Sequence, residues 1–203
     1  MSFNDVVTAI IAAAAVGASL LALWINNSVD KRAARSALTD LTVRVNQKSA
    51  AYERILDESR KYKAGLELEV LLRHADELVA RLGRKFPESV GITLAQALEL
   101  VGDSWWADRY WELAATTKDH YFRAYTISYW ANALWSRGDH DAAWAKMDEL
   151  PAVLTEKTTY ARIVRGDSYL AMGKLVAATP RRAQLASYWF GLAGKEYDEV
   201  PDQ

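Results

Sequence analysis

The chain has 203 residues, of which 51% are hydrophobic, 11% aromatic and 25% charged, enough apolar surface for a packed core in one or two domains. Its 25 basic and 26 acidic residues leave a net charge of -1, which excludes the broadly basic surface that a nucleic-acid grip needs. Cysteine is absent, so disulfides, cysteine-ligated zinc and thiol catalysis are excluded as well.

Residues 6–25, from Val6 to Ile25, read VVTAIIAAAAVGASLLALWI and carry no charge. Twenty residues at about 1.5 Å each cross a hydrocarbon core of about 30 Å. Trp24 stands near one end, where an amphipathic ring suits the membrane interface. The five residues before the span lack the basic start of a cleaved signal peptide. Residues 1–27 are therefore predicted to be a retained, single-pass transmembrane anchor. Lys31, Arg32 and Arg35 follow the span, and Asp5 is the only charged residue before it. That asymmetry predicts a cytoplasmic C-terminal domain. Ala9, Ala13 and Gly17 fall four apart, as do Ala14, Ala18 and Ala22. Such stripes let two helices approach closely in lipid, so a homo-oligomer formed through the membrane helix is a second reading of the segment.

Residues 28–64 are predicted to be a helical stalk, since no proline or glycine occurs between 31 and 63. Leu38, Leu41, Val45, Tyr52, Ile55 and Tyr62 alternate by threes and fours, with Lys48 and Ser59 breaking the seam. Two arrangements satisfy this pattern: a short coiled coil continuing from the membrane, or a stalk folding back onto the next helix. Gly65 is read as the break that follows.

From residue 65 to 203 the pattern is all helical. Leu68, Leu71, Leu72, Ala75, Leu78, Val79 and Leu82 mark an amphipathic helix that Gly83 and Pro87 end. A shorter helix over 93–101 ends at Gly102, and Asp103 or Ser104 caps the next. Residues 119–150 form the clearest unit, a long helix, an Arg137-Gly138-Asp139 turn and a second helix ending at Pro151. Spacings then repeat. Gly102, Gly138 and Gly173 are preceded by seven residues by Ala95, Ala131 and Gly166, and by four by Leu98, Leu134 and Tyr169; Ala107, Ala143 and Ala178 stand five after each. Small residues suit close helix crossings, and glycine suits tight helix ends. Thr179 and Pro180 start a last helix over about 180–198, with Tyr188, Trp189, Leu192 and Tyr197 available to close the array.

This spacing resembles the tetratricopeptide repeat family, whose units are helical hairpins of about 34 residues. The resemblance covers residues 88–178, with a half-repeat at 66–83. It implies an all-α chain: anchor, stalk and an α-solenoid of about three hairpins. It also implies an adaptor that binds a protein or peptide partner in a concave groove lined by the first helix of each hairpin. By position, that groove would present Gln96 and Glu99, then Tyr125, Ser128, Asn132 and Trp135, then Tyr160, Ile163 and Asp167. The family's basic clamp for a terminal carboxylate is not matched; only Asn132 agrees in type.

Catalytic constellations find no support. His74, His120 and His140 form no helical pair, no glycine-rich phosphate loop precedes a helix, and no serine has a nucleophile's setting. No enzyme activity, cofactor or metal is expected. Trp105 and Trp106 are adjacent and cannot both face the core of one helix, so one of them is expected at the surface.

Overall fold

The computed structural model describes residues 28–83, 86–179 and 182–200 in full and residues 3–27 as backbone only. Among the described residues the elements are all helical. Helix α1 (Phe3–Glu53) presents Ala34, Leu38, Leu41 and Val45 at helical spacing, and all four are buried. Helix α2 (Glu58–Arg81) returns along it and contributes Leu68, Leu72, Ala75 and Val79 to the same core. The Leu38, Leu41 and Val45 part of the predicted stalk's seam is thus covered within the chain, by the hairpin α1/α2, while Tyr62 stays exposed. Gly65 lies inside α2 and breaks nothing, as one helical glycine costs only about 1 kcal/mol. The break falls instead between the two helices, where the Asp57 side chain accepts from the Arg60 amide at 2.8 Å and caps α2.

Three further hairpins follow. They are α3 (Glu88–Val101) with α4 (Ser104–Ala115), α5 (His120–Ser136) with α6 (His140–Met147), and α8 (Thr159–Ala178) with α9 (Ala186–Asp198). A single turn, α7 (Leu150–Val153), packs back on α5, and a 3-10 turn (Ala183–Leu185) leads into α9. The first helices stack as one layer, α1 on α3, α3 on α5 and α5 on α8, while α2 packs on α3 and α4 on α5. Among the described residues the stack holds four hairpins rather than about three, because the predicted half-repeat at 66–83 pairs with the end of α1. One core runs from Ala34 to Ala193.

The second and third hairpins turn by the same device. Gly102 (φ +83°) and Gly138 (φ +89°) adopt the left-handed conformation. The Gly138 amide donates to the Trp135 carbonyl and the Asp139 amide to the Leu134 carbonyl, each at 3.0 Å; Gly102 and Asp103 repeat this against Glu99 and Leu98. The aspartate then caps the next helix, accepting from the Ala142 and Trp106 amides respectively. Gly173 departs from the predicted register. It lies within α8, which continues to Ala178, so it ends no helix. Its smallness serves the crossing with α9, since an added Cβ would lie 2.6 Å from the Phe190 ring. The last helix begins at Ala186, after the predicted start at 180. Trp189 is buried there against Trp144 and Tyr169. Trp105 is 78% exposed and Trp106 half-buried, which separates the two adjacent indoles.

Among the described residues no helix is long and apolar enough to cross a membrane. The predicted span at residues 6–25, with its small-residue stripes, lies outside the fully described residues.

Two glycines give opposite expected outcomes for one substitution. A Cβ at Gly166 would lie 2.7 Å from the Tyr197 ring, which its hydroxyl pins to Asp167, whereas a Cβ at Gly191 meets nothing within 4 Å. Gly166→Ala is expected to destabilise by about 1–3 kcal/mol. Gly191→Ala is expected to stabilise by up to about 1 kcal/mol. Thermal unfolding of the two variants measures both signs.

Candidate functional site

The layer of first helices lines an open cavity of about 900 Å³. Its walls come from the C-terminal halves of α1, α3, α5 and α8: Asn46, Ser49 and Glu53; Thr93, Gln96 and Leu100; Tyr129, Asn132 and Ser136; Ala171, Lys174 and Leu175. Two polar atoms on its wall are buried without a partner, Asn132 Oδ1 and Ser49 Oγ. A buried amide oxygen left unsatisfied costs about 1–3 kcal/mol, a cost that a bound donor removes.

One edge of the cavity is fixed by charge. Arg137 closes the turn between α5 and α6, and its guanidinium bridges two carboxylates. Nε donates to Glu99 Oε2 at 2.9 Å and Nη2 to Glu99 Oε1, while Nη1 donates to Asp108 Oδ1 and Oδ2 at 3.0 and 2.9 Å. Trp111 Nε1 donates to Glu99 at 3.0 Å and Trp130 Nε1 to Asp108 at 2.9 Å. Lys146 sits 4.1 Å from the Trp130 ring centroid. The paired carboxylates, Glu99 first, hold the Arg137 pKa above its ordinary value against the effect of burial. Glu99 therefore serves the frame, although it lies on the cavity wall.

The other end of the groove is aromatic. Tyr121 and Tyr160 meet edge to face with centroids 4.6 Å apart, and Tyr125 lies near Tyr160. Burial first, and then Tyr160 and the nearby Asp167, push the Tyr125 phenol pKa up. Tyr197 donates to Asp167 at 2.6 Å, and Tyr121 to Glu156 at 2.7 Å.

The sequence-predicted groove residues thus divide. Gln96, Glu99 and Asn132 come together at the cavity, and Tyr125, Tyr160 and Asp167 at the aromatic end. Ile163 is half-buried on α8. Ser128 and Trp135 do not face the groove. Ser128 is buried, and Trp135 is a core residue, 2% exposed, with its Nε1 donating to Thr179 at 2.7 Å and its ring against His140. The groove positions are one residue later, at Tyr129 and Ser136. One residue is about 100° on a helix, enough to move a side chain from groove to core. The series Tyr121, Tyr125, Tyr129, Asn132 and Ser136, stepping by threes and fours, is the signal that finds this face. Asn46, Ser49 and Glu53 were hidden by the assignment of residues 28–64 to a stalk. Among the described residues no three His, Asp or Glu side chains are grouped to hold a metal ion.

No family model matches the chain, and no curated protein or solved structure shows significant similarity to it.

Arg137 and Glu99 are each about one-fifth exposed, at 18% and 19%, so their pair is only partly screened. Arg137→Ala is expected to lower unfolding free energy by roughly 2–3 kcal/mol, below the range for a fully buried pair. Arg137→Lys should recover less than half of that loss, because one ammonium cannot fork to two carboxylates. Denaturant titration of the three proteins gives the comparison.

Proposed function

We propose that the chain is a membrane-anchored scaffold of tetratricopeptide type that holds a segment of another protein in the concave groove of its first helices. The observation that carries this reading is the cavity, shared by four helices, with Asn132 Oδ1 and Ser49 Oγ buried in its wall and unpartnered. Peptide N–H groups suit such acceptors, and the alanines and leucines between them suit small apolar side chains. The uncharged span at 6–25 supports the anchor, and Lys31, Arg32 and Arg35 support a cytoplasmic groove.

A second reading, self-assembly, is favoured by one surface. Tyr62, Leu66 and Val70 form an apolar stripe along the outer face of α2, 72%, 45% and 67% exposed. A defined homo-oligomer in detergent that Leu66→Glu dissociates is the outcome this reading requires.

Gln96→Ala with Asn132→Ala tests the groove. Neither side chain has a hydrogen bond that the fold relies on, so the double variant should melt like the wild type. Affinity capture from native membranes should recover a protein with the wild type and lose it with the variant; a partner retained in full contradicts the groove. For topology, a C-terminal reporter that works only in the cytoplasm is expected to be active, and one that works only after export is expected to be silent.

A further inference from the structure

We propose that a recess at the membrane-proximal end of the first hairpin holds the headgroup of an anionic phospholipid, a phosphodiester of net negative charge. This rests on the membrane-anchor part of the reading above and adds a site away from the groove.

Helix α2 returns along α1, and at its end the two helices line an open recess of about 510 Å³. The α1 wall steps by threes and fours through Asp30, Ala33, Ala34 and Ala37, which places the four on one face. Three of them are alanines, whose smallness leaves the space open. Leu78 of α2 forms the facing apolar wall and is buried. Lys31 and Arg81, one from each helix, complete the lining, and both are exposed.

The charge at this end is positive once every group is counted. Among the described residues Lys31, Arg32, Arg35 and Arg81 take part in no ion pair, and Asp30 is the one carboxylate of the lining. The last carbonyls of α2 add roughly half a negative charge. Four cations against one carboxylate and that half charge leave an excess of about 2.5. The next carboxylates, Asp40 on α1 and Glu77 on α2, stand outside the lining and a turn or more farther from the span than Arg35 and Arg81. An arginine forks onto two phosphate oxygens, and a lysine meets another as a point charge. The alanines and Leu78 suit the glycerol carbons and first methylenes beside the phosphate.

The recess also stands at the right height. Helix α1 runs unbroken from Phe3 to Glu53, so Asp30 and Lys31 lie about 8–9 Å beyond Ile25, the end of the uncharged span. The polar layer outside the hydrocarbon core is about 5–8 Å deep on each face, and long basic side chains reach back toward it. A free phosphate ion would meet the same two cations but gains nothing from the apolar wall. A lipid gains from that wall and is held beside the recess at high local concentration.

The test uses the full chain in a mild non-ionic detergent, with phosphatidylglycerol and phosphatidylcholine added in equal amounts and bound lipid identified by native mass spectrometry. Phosphatidylglycerol should be retained in preference. Lys31→Gln with Arg81→Gln breaks no bond of the fold, so it should melt like the wild type. It should cut the preference roughly 25-fold, about fivefold per basic residue. Asp30→Asn removes the carboxylate of the lining and should raise the preference. Ala37→Leu fills the recess from an exposed position at constant charge and should weaken retention. Equal retention of the two lipids, or a preference that the glutamine pair leaves unchanged, overturns the proposal. A preference that Ala37→Leu leaves unchanged assigns it to diffuse surface charge and overturns the recess. Displacement of the lipid by millimolar inorganic phosphate makes this a site for the free ion and overturns the lipid. Carbonate extraction of native membranes separates the two readings. A chain that stays in the membrane yet shows no lipid preference loses only the headgroup site; a chain that carbonate releases loses the anchor, and the headgroup site with it.

Discussion

Arg137 is the point on which the shape of the groove depends. It lies at the turn of the third hairpin, yet its guanidinium is held by Glu99 of α3 and Asp108 of α4 in the second. Apolar contact between stacked hairpins fixes distance better than it fixes rotation. Four hydrogen bonds from one rigid fork fix both. With α3, α4 and α5 locked in register, the C-terminal halves of α3 and α5 stand at a set separation, and the cavity between them is preformed. The indoles of Trp111 and Trp130 satisfy further lone pairs of the same carboxylates, as a partly buried ion pair requires.

The groove that follows is asymmetric along its length. At one end are amides, hydroxyls and small apolar side chains around the cavity. At the other are tyrosines, with Tyr121 donating to Glu156 and Tyr197 to Asp167. The direction of α1 gives the arrangement a further consequence under the scaffold reading. The helix that lines the cavity with Asn46, Ser49 and Glu53 is the one whose N-terminal part holds the predicted span. The wall of the site would then stand roughly 30–40 Å along α1 from the end of that span.

Much of the helical architecture was legible, and the failures are specific. The Gly-Asp turns at 102–103 and 138–139 are visible because the left-handed glycine and the capping aspartate leave a two-residue signature. Gly173 has the same spacing but a different cause, the crossing of Phe190, and spacing cannot tell a helix end from a helix crossing. The α1/α2 hairpin was left open because Leu38, Leu41 and Val45 make the same seam for a second chain as for α2. Its turn at 54–57 has no glycine or proline, only the Asp57 cap. In the site, Gln96, Asn132 and Tyr125 were placed by position in the repeat. Ser128 and Trp135 were misplaced by one residue, and Arg137 was missed because its partners lie 38 and 29 residues away in sequence.

The central claim is that the concave face formed by α1, α3, α5 and α8 holds a segment of another polypeptide. Photocrosslinking in native membranes tests it most directly, with a photoactivatable residue placed at Tyr129 on the cavity wall or at exposed Trp105 on α4. The account predicts an adduct with a different protein from position 129, mapped by mass spectrometry to one segment of that protein, and none from position 105. Adducts from 105 alone, or adducts from 129 only with a second copy of the chain, would contradict it.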